Sequence, residues 1–217
     1  MGVRVENLTI ESARELVSNR ALWPLVRDFL WDFAPQVHPS WLEGIDALKY
    51  PENPRVKRYI LDSLSVEPCF HAFPKEDGSR VLLLAGETLE SVAKWLGALV
   101  CADALRRVTD GETVRRLKAE FPGIYPEVFG YTAYFKDLVA RGAVEPRNED
   151  IVVEVAGNGH GLMFSAFARL PEAVVSRAKL KLDKGISVSS PSRELDLPVI
   201  LKLLKLKFPE AYRLCCS

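Results

Sequence analysis

The stretch that decides the fold is LESVAKWLGALVCADALRRV, residues 89–108. An α-helix turns by about 100° per residue, and at that step most of the apolar residues of this stretch fall on one side. They are Leu89, Val92, Ala93, Leu96, Leu99, Val100 and Ala104. The far side is small and only weakly polar, with Gly97, Ala98, Cys101 and Ala102. Because a helix that is apolar on most sides is normally surrounded by other helices, we predict the central helix of the fold at residues 89–108.

An acid and a base lie inside the apolar stripe of this helix. Asp103 and Arg107 are four residues apart, so their side chains can meet on one helix face. The favoured interpretation is a buried structural ion pair that fixes the register of the helix. Breaking such a pair from one side typically costs about 3–5 kcal/mol. The alternative interpretation is a partner-binding or catalytic acid at Asp103.

The composition is that of an ordinary globular protein. Of the 217 residues, 48% are hydrophobic and 27% are charged, which is enough for one good core. The 29 acidic and 29 basic residues cancel, so the chain carries no net charge. Without net charge there is no bulk field that favours nucleic acid or an anionic membrane surface. We therefore predict no nucleic-acid partner.

The cysteines and the apolar runs bear on localisation. The four cysteines, Cys69, Cys101, Cys215 and Cys216, do not form the framework of a disulfide-stabilised protein, which favours a reducing compartment. The N-terminus lacks a basic region followed by an apolar run, so no signal peptide is expected. No run of about 18 apolar residues is present, so no direct membrane insertion is expected either. These features favour a cytoplasmic protein.

Capping residues, periodicity and helix breakers place further helices along the chain. They are predicted at residues 12–19, 22–33, 55–64, 112–121, 125–141, 150–170 and 197–208. A long loop is expected at about residues 65–87, and a Ser-rich loop at about 185–194. The alternation of charged and apolar residues in 177–182 allows one short β-hairpin. We predict a single all-α domain over residues 1–217, with α+β as the alternative fold class.

The glycine cluster GNGHG, residues 157–161, interrupts an otherwise apolar stretch. It lacks the Lys-Ser/Thr pair that ends a P-loop, and no clear strand precedes it as in a dinucleotide fold. A nucleotide site is therefore disfavoured. The favoured interpretation is a helix kink or a close helix crossing.

No motif in the chain predicts catalysis or a bound cofactor. Cys69 and His71 are two residues apart, but no second ligand pair has the spacing of a zinc site. No serine lies in a G-x-S-x-G elbow. Cys101, placed among small apolar residues, is expected to be an inert packing thiol. We predict no catalytic, cofactor-binding or metal-binding residues.

Two charged segments are the candidate partner-binding surfaces. Arg115, Arg116 and Lys118 lie in a polar predicted helix, and Lys202 and Lys205 lie in the last predicted helix. Charged residues that flank apolar ones are typical of the rim of protein interfaces, where they steer association. The same lysines on the last helix are also compatible with a simple solvated face.

Five segments of the chain carry a family resemblance. WLGALVCADALRRV at residues 95–108 combines Leu-Gly, small residues and an Asp-Ala-Leu-Arg-Arg run. The others are HPSWL at 38–42, GLMFSAF at 161–167, residues 178–182, and a final helix that ends in Phe-Pro. Taken in chain order, the five segments resemble the SctK family, the YscK/PscK type, of bacterial type III secretion proteins. PKEDGSR at 74–80 has no clear counterpart in that family.

The resemblance implies a cytoplasmic, non-enzymatic adaptor in the sorting platform of the injectisome, at the cytoplasmic face of the inner membrane. In this role the protein would link the inner-membrane ring protein SctD to the SctQ pods, and so support effector export. The residues alone leave two other functions open. One is a small hydrolase or transferase that uses Asp103 with a histidine. The other is a helical DNA-binding regulator that reads DNA with residues 112–121, which the neutral net charge disfavours.

Overall fold

The computed structural model describes residues 22–43, 53–66, 78–141, 150–186 and 195–216. Every regular element within these ranges is helical, and none of them contains a strand. The all-α prediction is confirmed, and the α+β alternative is wrong for the described part of the chain. The helix predicted at residues 12–19 lies outside the described residues.

The described part of the chain consists of α-helices and short 3₁₀ helices. The α-helices are α1 (Leu22–Leu30), α2 (Pro54–Ser63), α3 (Gly86–Val100), α4 (Ala102–Arg106), α5 (Gly111–Glu120), α6 (Val128–Tyr131), α7 (Lys136–Arg141), α8 (Ile151–Ala166), α9 (Glu172–Leu180), α10 (Leu197–Lys207) and α11 (Pro209–Cys216). Short 3₁₀ helices lie at Ala34–Gln36, Pro39–Trp41, Ser79–Leu83 and Thr132–Phe135. None of the helices in the described ranges combines the length and the hydropathy needed to cross a membrane.

The chain divides into two compact units. The first comprises the described residues within 1–89, 167–185 and 197–217, and the second comprises those within 90–166 and 186–196. The prediction of a single helical domain over residues 1–217 stays a prediction.

The core of the first unit is built around the 3₁₀ helix Ser79–Leu83. This helix contacts α1, α9 and α11, and its Val81 and Leu82 are fully buried. Phe29 from α1 is buried with them. The sequence predicted a long loop at about residues 65–87. Its C-terminal part is instead this 3₁₀ helix, followed by α3 from Gly86.

The β-hairpin suggested by residues 177–182 is absent from the described structure, because this segment belongs to α9 and its C-terminal cap. Val174, Arg177 and Ala178 are buried, with the three- and four-residue spacing of one helix face. Lys181 continues the same face and is also buried. The lysines that alternate in this segment therefore do not all face the solvent, as they would on one face of a strand.

The core of the second unit is built around α3. Leu96 and Leu99 are fully buried on the predicted apolar face, and Ala98 and Ala102 on the far side are buried as well. This burial on all sides is expected of a helix that other elements surround. The predicted helix at 89–108 is nevertheless not continuous, because Cys101 departs from helical backbone geometry between α3 and α4.

The aromatic helix predicted at residues 125–141 is also divided. The structure places α6, a 3₁₀ helix at Thr132–Phe135 and α7 in this stretch, and the Tyr125–Pro126 peptide bond is cis. Pro126 has no backbone N–H to donate, so a regular helix starts only after it. The last predicted helix, 197–208, is α10, and Pro209 begins a further helix, α11, that the sequence did not predict.

Candidate functional site

The contact of α3 with α8 in the second unit is a close approach of two helix backbones. A Cβ atom added at Gly97 would lie 2.0 Å from the carbonyl oxygen of Val155, and one added at Gly159 would lie 2.0 Å from the carbonyl oxygen of Ala93. Both obstacles are backbone atoms, which cannot swing aside as a flexible side chain could. The close helix crossing predicted from GNGHG is confirmed, and α8 runs through the cluster as a regular helix.

A buried histidine lies beside this crossing. His160 on α8 is only 1% exposed, and its Nε2 lies 2.7 Å from Oε2 of Glu90 on α3. Its Nδ1 lies 2.8 Å from the carbonyl oxygen of Ala156. Both ring nitrogens thus face oxygen acceptors. An imidazolium beside an ionised Glu90, or a neutral imidazole beside a protonated Glu90, gives each contact one hydrogen.

Sequence reasoning missed the pairing of Glu90 with His160. The available signal was a histidine inside a glycine-rich, apolar helix, where a buried polar ring needs a partner. The partner could not be chosen from sequence, because Glu90 is 70 residues away along the chain. Within the described residues, no group of three or more His, Cys, Asp or Glu could hold a metal ion.

Cys101 has the surroundings of a packing thiol, as predicted. Its side chain is buried, and the Asn158 amide nitrogen lies 3.6 Å from its sulfur. Burial raises the pKa of Cys101 to about 11, so the thiolate needed for nucleophilic chemistry is scarce at neutral pH.

The predicted ion pair of Asp103 with Arg107 is wrong. Asp103 instead pairs with Arg106, with Nη1 and Oδ1 separated by 2.8 Å, and the Asp103 side chain is 56% exposed. Arg107 is exposed too. The reason is which side of α4 is covered, because Ala102 and Leu105 on the far side are buried, whereas the side that carries Asp103 and Arg107 faces solvent.

Arg106, which the sequence did not single out, is the arginine that links α4 to the aromatic segment. Its Nη2 donates to Oγ1 of Thr132 over 3.1 Å. Its guanidinium also lies over the Phe129 ring, 5.4 Å from the centroid. Asp103 therefore helps to orient an arginine on the surface and is not part of a buried ion pair in the core.

The basic cluster on α5 does not form one surface. Arg116 is ion-paired with Asp150, with Nη2 and Oδ2 2.6 Å apart, and this pair ties α5 to the start of α8. The hydrogen bond raises the pKa of Arg116 and lowers the pKa of Asp150. Arg115 and Lys118 are exposed on α5, and Nε of Arg115 donates to the Gly111 carbonyl. At about 100° per residue, Arg115 and Lys118 lie on the same side of α5, whereas Arg116 points away from them.

The lysines of α10 share a face. Lys202 and Lys205 are both exposed and lie one turn apart, and Leu206 beside them is 39% exposed. The opposite face, formed by Ile200, Leu203 and Leu204, is buried. Nζ of Lys205 lies 5.9 Å from the ring centroid of Tyr212 on α11. This helix carries no acidic residue, so its exposed face is positive with an apolar edge.

Sequence reasoning also missed the buried lysine Lys181. Its Nζ donates to the carbonyl oxygens of Leu82 (3.0 Å) and Leu84 (2.9 Å), and lies 4.8 Å from the Phe29 ring centroid. Burial lowers the pKa of Lys181 from 10.5 to about 7. The lysine therefore satisfies carbonyl groups at the end of the 3₁₀ helix Ser79–Leu83 and holds it against the end of α9.

Two of the segments that carry the family resemblance contact each other in the first unit. The backbone N–H of His38 donates to the Leu180 carbonyl over 2.8 Å, and Nε1 of Trp41 donates to the Leu182 carbonyl over 2.8 Å. HPSWL thus caps the C-terminal end of α9, where orphan carbonyl groups need donors.

The described residues define an all-helical protein whose buried polar groups hold helices together. A family model described as YOP proteins translocation protein K (YscK) matches residues 30–215. Because the match covers most of the chain, the protein belongs to the YscK family of type III secretion proteins, as the resemblance to the SctK type predicted. No curated protein and no solved structure matches the chain.

Proposed function

We propose that this protein is a cytoplasmic adaptor of the sorting platform that links the ring protein SctD to the SctQ pods. The observation that carries the proposal is the YscK family match over residues 30–215. The proposal gives the protein a binding role in effector export and no enzymatic activity. It also places the protein at the cytoplasmic face of the inner membrane through its partners.

The contacts within each unit support such a role. An adaptor that connects two assemblies needs helices that keep their positions under load. In the second unit, the backbones of α3 and α8 meet directly at Gly97 and Gly159, where no flexible side chain separates them. In the first unit, Lys181 holds the 3₁₀ helix Ser79–Leu83 in place through two carbonyl groups.

The exposed face of α10 is the better of the two predicted partner-binding surfaces. Lys202, Lys205 and Leu206 present positive charge beside apolar surface, which suits an acidic partner with an apolar anchor. On α5, Arg115 and Lys118 remain candidates, whereas Arg116 already binds Asp150 within its own unit.

Co-purification tests the adaptor function directly. The full chain is expected to bind the cytoplasmic domain of SctD and SctQ separately, and to bring the two together when all three proteins are mixed. A strain that lacks the chain should lose effector secretion and regain it on complementation. Binding to neither partner, or secretion that continues without the chain, would overturn the proposal.

A further inference from the structure

His160 is a buried titratable group at the α3–α8 crossing. Its residue is 1% exposed, and it follows Gly159, where the two helix backbones meet. Nδ1 lies 2.8 Å from the carbonyl oxygen of Ala156, and Nε2 lies 2.7 Å from Oε2 of Glu90. Because a carbonyl oxygen can only accept, Nδ1 carries a hydrogen. The contact at Nε2 therefore decides how many protons the histidine and the glutamate hold together.

The contact at Nε2 requires a second proton. A neutral imidazole has one ring hydrogen, and Nδ1 of His160 already uses it. The lone pair of Nε2 would then point at a carboxylate oxygen 2.7 Å away, which is repulsive unless a proton lies between the two atoms. Burial by itself favours an uncharged ring, because a cation loses its hydration. Two hydrogen bonds from an imidazolium, one of them to a carboxylate, offset that loss, since charge-assisted hydrogen bonds are roughly twice as strong as neutral ones.

The surroundings of Glu90 favour placing this proton on the histidine. Nζ of Lys94 lies 3.9 Å from Oε1 of Glu90, and the Glu90 side chain is 31% exposed, so a cation and water both stabilise its ionised form. On α5, Oε1 of Glu120 lies 3.1 Å from Nζ of Lys94 and balances the charge of the lysine. The other charged residues of α5 and α8 with contacts of their own include Arg116 and Asp150, which pair with each other, and Glu154, which interacts electrostatically with Cys101.

We propose that His160 is an imidazolium in the folded protein at neutral pH, and that its proton makes the α3–α8 crossing sensitive to pH. A histidine in the unfolded chain loses its proton at about pH 6.5. Above this pH the folded protein holds one proton more than the unfolded chain, so stability falls as the pH rises. For each pH unit in that range, the folding equilibrium constant falls up to about tenfold. This pH-sensitive contact lies within the second unit and does not depend on the adaptor function.

Nitrogen NMR of the wild-type chain tests the protonation state directly. The protein is labelled with ¹⁵N-histidine, and long-range ¹H–¹⁵N spectra at pH 8 show which ring nitrogens carry a hydrogen. The signals of the three histidines are assigned with His38→Gln and His71→Gln variants. We expect hydrogens on both ring nitrogens of His160. A single protonated nitrogen in the folded wild type would overturn the proposal, and this result needs no variant of the crossing itself.

Glu90→Gln removes the carboxylate and keeps its shape. The amide can donate to Nε2 of a neutral ring, so the same spectra of this variant should show His160 with one ring hydrogen. If the imidazolium persists without the carboxylate, Glu90 does not hold the proton and the proposed pair is refuted.

The pH dependence of stability provides a second readout. Urea unfolding of the wild type and of Glu90→Gln is measured between pH 5.5 and pH 8.5, where the two chains share every other titrating group. Above pH 6.5 the wild type takes up a proton on folding, and below it the variant releases one. The ratio of the two folding equilibrium constants, wild type to variant, should therefore rise up to about tenfold for each unit by which the pH falls.

Glu120→Gln is the matched control for this ratio. It makes the same acid-to-amide change at a 53% exposed side chain that pairs with Lys94. Its ratio to the wild type should stay constant over the same pH range, because an exposed carboxylate is ionised there in both the folded and the unfolded chain. A ratio for Glu90→Gln that is equally constant would show that folding takes up no proton at His160, and the proposal would be wrong.

Discussion

Gly97 and Gly159 face each other across the α3–α8 contact so closely that neither position has room for a Cβ atom. The backbone nitrogen of Gly159 would lie 3.1 Å from a Cβ at Gly97, and that of Gly97 would lie 3.0 Å from a Cβ at Gly159. Two glycines in helix interiors reduce helix propensity by roughly 1 kcal/mol each relative to alanine. The close approach they permit allows the two backbones to pack directly, and it sets the position of α8 on α3.

Gly159→Ala should therefore destabilise the protein by about 3 kcal/mol despite the better helix propensity of alanine, since its methyl group would meet the Ala93 carbonyl. Urea unfolding followed by circular dichroism measures the effect. Gly130→Ala is the matched control, because a Cβ there meets nothing within 4 Å. It should be neutral or stabilising by up to about 1 kcal/mol. Equal effects of the two substitutions would contradict the steric argument.

Glu90→Leu should destabilise the protein by about 1–3 kcal/mol, because it leaves Nε2 of the buried His160 without its carboxylate partner. Glu90→Gln should cost less, since an amide N–H₂ can still donate to a neutral imidazole. Denaturant titration of the two variants and of His160→Leu, combined in a double-mutant cycle, gives the coupling energy. Additive effects of Glu90→Leu and His160→Leu would show that the hydrogen bond contributes nothing.

The helical fold class and the close helix crossing at the glycine cluster could both be predicted from the sequence. Helical periodicity is a local property, and a glycine in a buried helix has few reasons to be there other than close packing. The same periodicity misplaced Asp103, because a helical period shows which residues share a side and not which side the rest of the fold covers. In α4 the buried side is that of Ala102 and Leu105, and Asp103 lies on the exposed side.

The two buried polar contacts could not be predicted for a different reason. Lys181 meets carbonyl groups that are 97 and 99 residues away along the chain. No local pattern specifies a partner at that distance, and the alternation around Lys181 favoured a strand.

Asp103→Ala should change the free energy of unfolding by less than about 1 kcal/mol, because its ion pair with Arg106 is on the surface. The buried pair predicted from sequence would have cost about 3–5 kcal/mol. Arg106→Ala should cost more than Arg107→Ala, since only Arg106 binds Thr132 and lies over Phe129. Thermal and urea unfolding of the three variants decide between these arrangements. A loss of several kcal/mol in Asp103→Ala would instead support the buried ion pair that the sequence predicted.

Reversing the charges of the α10 face should weaken the proposed adaptor contacts. The double variant Lys202→Glu/Lys205→Glu is expected to lower affinity for SctD or SctQ about tenfold, mainly through slower association that depends on salt. The double variant Arg107→Glu/Lys136→Glu makes the same charge change at two exposed positions elsewhere and should bind normally. Surface plasmon resonance at two salt concentrations separates the rates. Unchanged association of the α10 variant with both partners would remove this helix face from the candidate interfaces.

Lys181 should make the stability of the protein depend on pH. Its pKa is about 7 when folded and buried but 10.5 in its ordinary state, so between these values the unfolded chain holds a proton that the folded chain lacks. Stability should therefore rise from about pH 7 to pH 10, by a few kcal/mol, and this contribution should be flat below pH 7. The neutral amine still has hydrogens for the Leu82 and Leu84 carbonyls, so the contact survives deprotonation.

In Lys181→Met the rise in stability with pH should vanish. Urea unfolding of the wild type and of this variant, at pH 6.5 and at pH 9, gives the difference between their unfolding free energies at each pH. This difference isolates the lysine from the other titrating groups. A difference that is the same at both pH values would mean that Lys181 stays charged in the folded protein, held by its two carbonyl partners and the Phe29 ring.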